Sequence, residues 1–279
     1  MKFKNSMQFK SYIKKISIEK AVSPQLALQS FMLECLLIRI AKSKYRGNLI
    51  LKGGFLLSII AGLNSRTTMD IDTTLKGIKL TEDKVKEIFE TVCSVDINDN
   101  ISYEIEDISD IRKDDEYGGL RVSLKANYDV LSVPLSVDIT TGDKITPRAI
   151  DFYFTTFFNN EKIRILAYNT ETLLAEKIET VISRSIANTR IRDFYDIYII
   201  IKTLNIDREI FIKALTETCK KRNSLETIKN YKTVLEQLRQ DKGIVTQWKQ
   251  YQKRFSYAKE VSLKETFELI EEILSPNIR

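Results

Sequence analysis

Apolar residues along this chain change their spacing twice, and each change marks a change of element. Between residues 5 and 43 they recur at helical intervals, with one interruption at Ser23-Pro24. Serine suits an N-cap there and proline suits a first helical turn, so two helices are predicted. The second, Gln25 to Lys44, faces a core through Leu26, Leu33, Leu36, Leu37 and Ile40. A short apolar run, Leu49 to Leu51, then leads into Gly53-Gly54 and a helix-length apolar segment, Phe55 to Leu63. Thr81 to Val92 reads as an amphipathic helix with Val85, Ile88, Phe89 and Val92 on one side. From Ile101 to Ile165 the period shortens to two. Ile101 to Ile108, Gly119 to Tyr128, Leu131 to Thr141 and Lys162 to Leu166 are predicted strands. After the cap-like pair Asn169-Thr170 the pattern is helical again, in segments of roughly 171–185, 188–204, 207–221, 224–240, 243–254 and 262–274. The expected fold class is α/β: residues 1–168 hold N-terminal helices and a small mixed β-sheet, and residues 169–279 form a helical bundle.

Composition narrows the chemistry. A hydrophobic content of 43% over 279 residues suffices for one large core or two modest ones. Forty-four Lys and Arg against 38 Asp and Glu leave a net charge of +6, a mild preference for a polyanionic partner. The chain contains no histidine, which excludes Ser-His-Asp hydrolysis, Cys-His proteolysis, His-ligated zinc and histidine general bases. Catalysis is left to carboxylates, lysine, hydroxyls or a metal. Cys35, Cys93 and Cys219 lie far apart in apolar contexts and read as free thiols of a reducing compartment. Met1 to Lys20 is Lys-rich and lacks a continuous apolar region, and no run approaches the length of a membrane span. A cytoplasmic protein with no membrane partner is expected.

The candidate chemistry is concentrated between Leu49 and Thr74. Gly53 and Gly54 can bring backbone N–H groups close to a ligand. In a strand, Asp70 and Asp72 share one face and Ile71 takes the other. Such a pair offers hard oxygen ligands to Mg²⁺. Alone, a Gly-Gly pair reads as a turn and an Asp-x-Asp as a solvated edge; in this order they read together. No Gly-x-x-x-x-Gly-Lys-Ser/Thr occurs, so a P-loop is excluded. Asp138 shares a strand face with Ser136 and Thr140, a face that either meets water or supplies a third carboxylate to a metal site. Lys177 falls inside the apolar stripe of Leu173, Leu174, Ile178, Val181 and Ile182, so it must snorkel or pair with an anion. Asp193 and Asp196 stand three apart at the start of an apolar helix, placed to complement its dipole or to orient one another or Lys177. Lys220, Lys221, Arg222, Lys249, Lys253 and Arg254 are the candidates for an RNA-binding surface.

The order Lys52-Gly53-Gly54, Arg66, Asp70-x-Asp72, Asp138, Leu173-Leu174-Ala175-Glu176-Lys177 and Arg192-Asp193-x-x-Asp196 resembles the AbiEii family of nucleotidyltransferase-like toxins, over roughly residues 25 to 205. That family belongs to the DNA polymerase beta type nucleotidyltransferase superfamily and forms the toxin half of type IV toxin-antitoxin and abortive phage infection systems. Where the superfamily often has Gly-Ser, this chain has Gly-Gly-Phe, and Ser58 or Thr68 is the hydroxyl available for a phosphate contact; Thr73 follows the second aspartate. The resemblance implies a nucleotidyltransferase-type N-terminal part. Within it, Lys52, Gly53, Gly54 and Arg66 lie against the triphosphate, Asp70 and Asp72 hold Mg²⁺, and Asp138 is the third metal carboxylate or the base. The helical domain contributes Lys177, which neutralises phosphate charge, and Asp193, which positions Lys177 or the acceptor. The implied reaction moves a nucleoside monophosphate from an NTP, either GTP or a pyrimidine triphosphate, to an acceptor expected to be tRNA. Growth arrest follows, opposed by a cognate antitoxin encoded separately. A non-catalytic nucleotide-binding module and an antibiotic nucleotidyltransferase are the alternatives.

Overall fold

The structure, a computed structural model, describes residues 3–62, 68–111, 118–158 and 160–275. It divides into two compact units, Met1–Gly142 with Ile150–Ala167, and Asp143–Ala149 with Tyr168–Arg279. The first contains α1 (Ser6–Glu19), α2 (Pro24–Lys42), β1 (Leu49–Lys52), α3 (Gly53–Ala61), β2 (Asp70–Leu75), α4 (Glu82–Cys93), β3 (Ser102–Asp110), β4 (Leu120–Tyr128), β5 (Leu131–Thr141), β6 (Ile150–Thr155) and β7 (Lys162–Ala167). The expected α/β class with a mixed sheet is the one observed.

Among the described residues the strands form one sheet in the order β3-β4-β5-β2-β1-β7-β6. The pairs β2·β5 and β1·β7 are parallel; the rest are antiparallel. Tyr128 pairs with Leu131 across a two-residue hairpin, and that turn fixes the register of β4 on β5 along its length. One face of the central strands is apolar, with Ile71, Val122, Val137 and Ile139 buried. The opposite face carries the polar residues of the same strands. Helix α2 packs against β5, β7, α1 and α4, and every residue from Ser30 to Ala41 is buried. It is apolar nearly all round because it is covered nearly all round.

Two charged side chains lie within that buried run. Arg39 donates to both carboxylate oxygens of Asp99, at 2.8 and 2.7 Å, and to the Ile101 carbonyl at 2.8 Å. Glu34 accepts from the backbone N–H groups of Phe157 and Phe158, at 2.6 and 3.1 Å, and ties their turn to α2. Burial pushes the Glu34 carboxyl up to about 7, with Glu161 adding to the rise and the two N–H donors opposing it.

The second unit contains α5 (Thr170–Arg184), a 3₁₀ turn at Ser185–Ala187, α6 (Arg192–Thr203), α7 (Arg208–Lys221), α8 (Leu225–Lys229), α9 (Tyr231–Gln240), α10 (Lys242–Arg254) and α11 (Leu263–Leu274). Helix α5 packs against α6 and α7. Asn169, Asp207 and Asp241 cap α5, α7 and α10 by accepting from the third residue on, which is why each helix starts where it does. Among the described residues no single helix is long and apolar enough to cross a membrane.

The elements depart from the sequence reading at three places. Strand β6 is absent from the predicted strands, because as an edge strand pairing only with β7 it shows weak alternation of burial. Helix α6 begins at Arg192 instead of near 188, after Ser185 takes a left-handed φ of 46°. The segment expected over 224–240 is two helices meeting at Asn230.

The position of Glu34 gives a pH-dependent stability. Its carboxyl is raised in the folded chain from 4.5 to about 7, so the native state favours the protonated form. Stability from this group is greatest below pH 4.5, falls as pH rises toward 7, and stays low above it. Wild type should therefore lose stability relative to Glu34→Gln across that interval, by a total on the order of 3 kcal/mol. Urea midpoints of both proteins between pH 4.5 and 8 check this, and a pH-independent difference would contradict it.

Candidate active site

Strand register builds the site. Lys52 on β1 lies opposite Asp72 on β2, Asp72 lies beside Asp138 on β5, and Asp138 lies opposite Arg121 on β4. Residues paired across strands share a face, so these four side chains form one row on the polar face of the sheet, with two cations flanking two carboxylates. Asp70, two positions before Asp72, falls beside Ser136 in the next row on the same face.

The turn from β1 into α3 comes directly against Asp72. Gly53 has φ of +63°, and a Cβ placed there would lie 2.1 Å from Asp72 Oδ2. Glycine is required on both counts. The following Gly54 N–H donates to Asp72 Oδ2 at 3.2 Å. Lys52 Nζ donates to Thr140 Oγ1 at 2.7 Å, and Thr68 Oγ1 donates to Asp70 Oδ1 at 2.9 Å. Ser58, the other hydroxyl considered, donates to the Phe55 carbonyl of its own helix and is buried.

Burial pushes the Asp72 carboxyl up to about 6, and neighbouring Asp70 adds to it; Lys52 and the Gly54 N–H act the other way, while Asp138 raises it further. Besides burial, the two other carboxylates of this face disfavour the ionised form of Asp72. Asp70 and Asp72 are hard oxygen donors on one face, and a divalent cation beside them would favour both carboxylates, so the residues fit such an ion. Asp138 is differently placed. Arg121 Nε and Nη2 donate to its two oxygens at 2.7 and 2.8 Å. Among the described residues no three acidic or thiol side chains converge on one point.

The second unit brings together another part of the expected set. Lys177 on α5 pairs with Asp193 Oδ1 at 2.5 Å and Asp196 Oδ2 at 2.7 Å on α6. Asp196 is fully buried and Asp193 nearly so. The lysine in the apolar stripe and the carboxylates on the apolar helix thus explain each other within this unit. Arg66 lies outside the described residues. Of the basic residues considered for RNA, Lys220 pairs with Glu217, Lys221 with Asp143, and Arg222 with Glu176 and Glu179. Lys249, Lys253 and Arg254 are exposed, with the Arg254 guanidinium 5.4 Å from the Phe255 ring centre.

Arg121 is the site residue the sequence reading missed. The signal existed in the two-residue turn Asp129-Val130 between predicted strands, since pairing Tyr128 with Leu131 and counting outward places Arg121 opposite Asp138.

The family model described as "Nucleotidyl transferase AbiEii toxin, Type IV TA system" matches residues 35–272. No curated protein matches the chain. Similar solved structures include JHP933 from Helicobacter pylori, 15% identical, with a TM-score of 0.51 over 90% of this chain and 91% of that one. A second H. pylori protein, described as a nucleotidyltransferase, is 14% identical, with a TM-score of 0.49 over 91% of this chain and 94% of that one. With the family model spanning most of its length, the chain belongs to the AbiEii family, the nucleotidyltransferase toxins of type IV toxin-antitoxin systems.

Proposed function

We propose that this toxin transfers a nucleoside monophosphate from an NTP, GTP or a pyrimidine triphosphate, to tRNA in the cytoplasm, with Mg²⁺ held by Asp70 and Asp72. Growth arrest follows, as a phage-defence response restrained by a cognate antitoxin, the partner that family membership implies. The observation carrying this reading is the seat of Asp72 against the Gly53-Gly54 backbone, in a row with Lys52 and Asp138.

The chain's own residues have definable parts in such a reaction. Gly53 leaves the backbone bare where a Cβ would strike Asp72, and the turn into α3 offers N–H groups at a helix N-terminus, a favourable place for phosphate oxygens. Lys52 supplies fixed positive charge beside the carboxylates and draws Asp72 toward its ionised form. Thr68 holds Asp70 Oδ1 by its hydroxyl, which orients that carboxylate. Asp138 is the third carboxylate, as a ligand or as the base that takes the proton of the acceptor hydroxyl. A divalent cation at Asp70 and Asp72 supplies charge neutralisation on phosphate oxygens and orients attacking and leaving groups. Asp193 is assigned to holding Lys177, which the pairing of these two side chains supports, and the role of Lys177 on phosphate charge is the one that the family resemblance implies. Nucleotidyl transfer rests on positioning and electrostatics, so the lack of histidine is no obstacle.

The direct test is transfer from each α-labelled NTP in turn, with Mg²⁺ and total bacterial RNA. Label is expected in the tRNA fraction from one nucleotide and should vanish in Asp72→Asn, a loss on the order of 10³-fold or more. Unlabelled RNA with every nucleotide overturns the RNA acceptor. Gly53→Ala should abolish transfer as well and destabilise the fold by roughly 1–3 kcal/mol, because it adds a clash to a left-handed φ. Thermal unfolding beside the transfer assay measures both effects. Lys177→Met leaves Asp196 buried with its lysine partner gone and should destabilise by about 3–5 kcal/mol; urea unfolding of that variant with unchanged stability would contradict the pairing.

A further inference from the structure

We propose that Arg121 is the resident counter-ion of Asp138 and competes with a divalent cation for it, so that the third carboxylate joins the site only when the cation draws it from the guanidinium. This rests on the reading that Asp70 and Asp72 hold a divalent ion.

The two-residue hairpin sets Arg121 opposite Asp138, and the parallel pairing of β5 with β2 sets Asp138 beside Asp72. The carboxylate thus has a cation on one flank and an acid on the other. Its two oxygens are both engaged by the guanidinium, a planar fork matched to a carboxylate. The fork keeps its charge throughout the working pH range, so it releases Asp138 only by moving. Mobility favours that route. Asp138 is 15% exposed and sits within a strand, whereas Arg121 is 45% exposed at the end of a long side chain.

Charge makes the exchange directional. Asp70, Asp72 and Asp138 together carry three formal negative charges, against two positive on Lys52 and Arg121. A cation arriving at Asp70 and Asp72 attracts Asp138 and repels Arg121, and both effects open the ion pair. Without a cation, Arg121 keeps Asp138 from adding to the charge already crowded around Asp72. Arg121 acts through Asp138 and is therefore a positioning residue. An ordinary half-exposed cross-strand ion pair would have no influence on metal affinity through Asp138.

The test is a titration of the full-length protein with Mn²⁺ alone, following free Mn²⁺ by electron paramagnetic resonance. Arg121→Gln removes the competitor and should tighten Mn²⁺ binding about three- to tenfold. Arg121→Lys, which keeps charge without the fork, should fall between it and wild type. In an Asp138→Asn background, Arg121→Gln should change nothing, because the contested carboxylate is gone. Equal or weaker binding by Arg121→Gln overturns the proposal. So does a tightening of the same size in the Asp138→Asn background, which would show a general field effect. Asp72→Asn separates the two levels of argument. If it binds Mn²⁺ as well as wild type does, or wild type binds none, the metal reading itself fails and this proposal fails with it. If binding needs Asp72 but ignores Arg121, only the present inference falls.

Discussion

The seat of Asp72 against Gly53 is the constraint from which the arrangement of the sheet's polar face follows. A carboxylate is pressed onto a backbone that has no room for a side chain, at the place where β1 turns into α3. Antiparallel pairing of β1 with β2 puts Asp72 there, and parallel pairing of β2 with β5 brings Asp138 alongside. A change in any of these registers by one residue would turn the carboxylates to the apolar face. The close approach also explains the electrostatics, since a carboxylate so enclosed, with a second one near it, is raised to about 6. Stability alone would not select this crowding, and it is the observation on which the proposed ion and phosphate site rests.

The helical unit handles buried charge differently. Lys177 is matched by two carboxylates, Arg222 by Glu176 and Glu179, and Lys221 by Asp143. Each pair or triad satisfies groups that would be expensive to bury alone. Much of the basic character of α7 is consumed in this way, so a count of lysines and arginines overstates the positive surface that α7 offers to a nucleic acid. Arg39 with Asp99 in the first unit follows the same rule within a helix otherwise made of apolar residues.

How much was legible in the residues varies with how local the cause is. Helix starts at Pro24, Thr170, Arg208 and Lys242 follow from a polar cap just ahead of an apolar stripe. Strands β4 and β5 alternate cleanly because one face is buried, whereas β6 gives no such signal because it is an edge. Asp70, Asp72 and the glycine pair stood out as a candidate site because their types and spacing serve packing poorly, and the sheet brings Asp72 against Gly53. Lys177 called for an anion, and Asp193 and Asp196 were legible as candidates for it beside a helix-dipole role; the packing of α5 on α6 brings both to the lysine. Arg121 looked like one more polar residue on a strand face.

By itself the sequence determined most of the succession of elements, the glycines and carboxylates that stand as candidates for the chemistry, and the exclusion of every mechanism that needs histidine. These are properties of short stretches, where propensity, period and residue type act over a few positions. The tertiary structure decided which side chain meets which: Arg121 with Asp138, Lys52 with Thr140, and Gly53 bare against Asp72. Strand order and register join residues far apart in the chain, and no local preference encodes the meeting of two side chains that only a folded sheet brings within a hydrogen bond of each other.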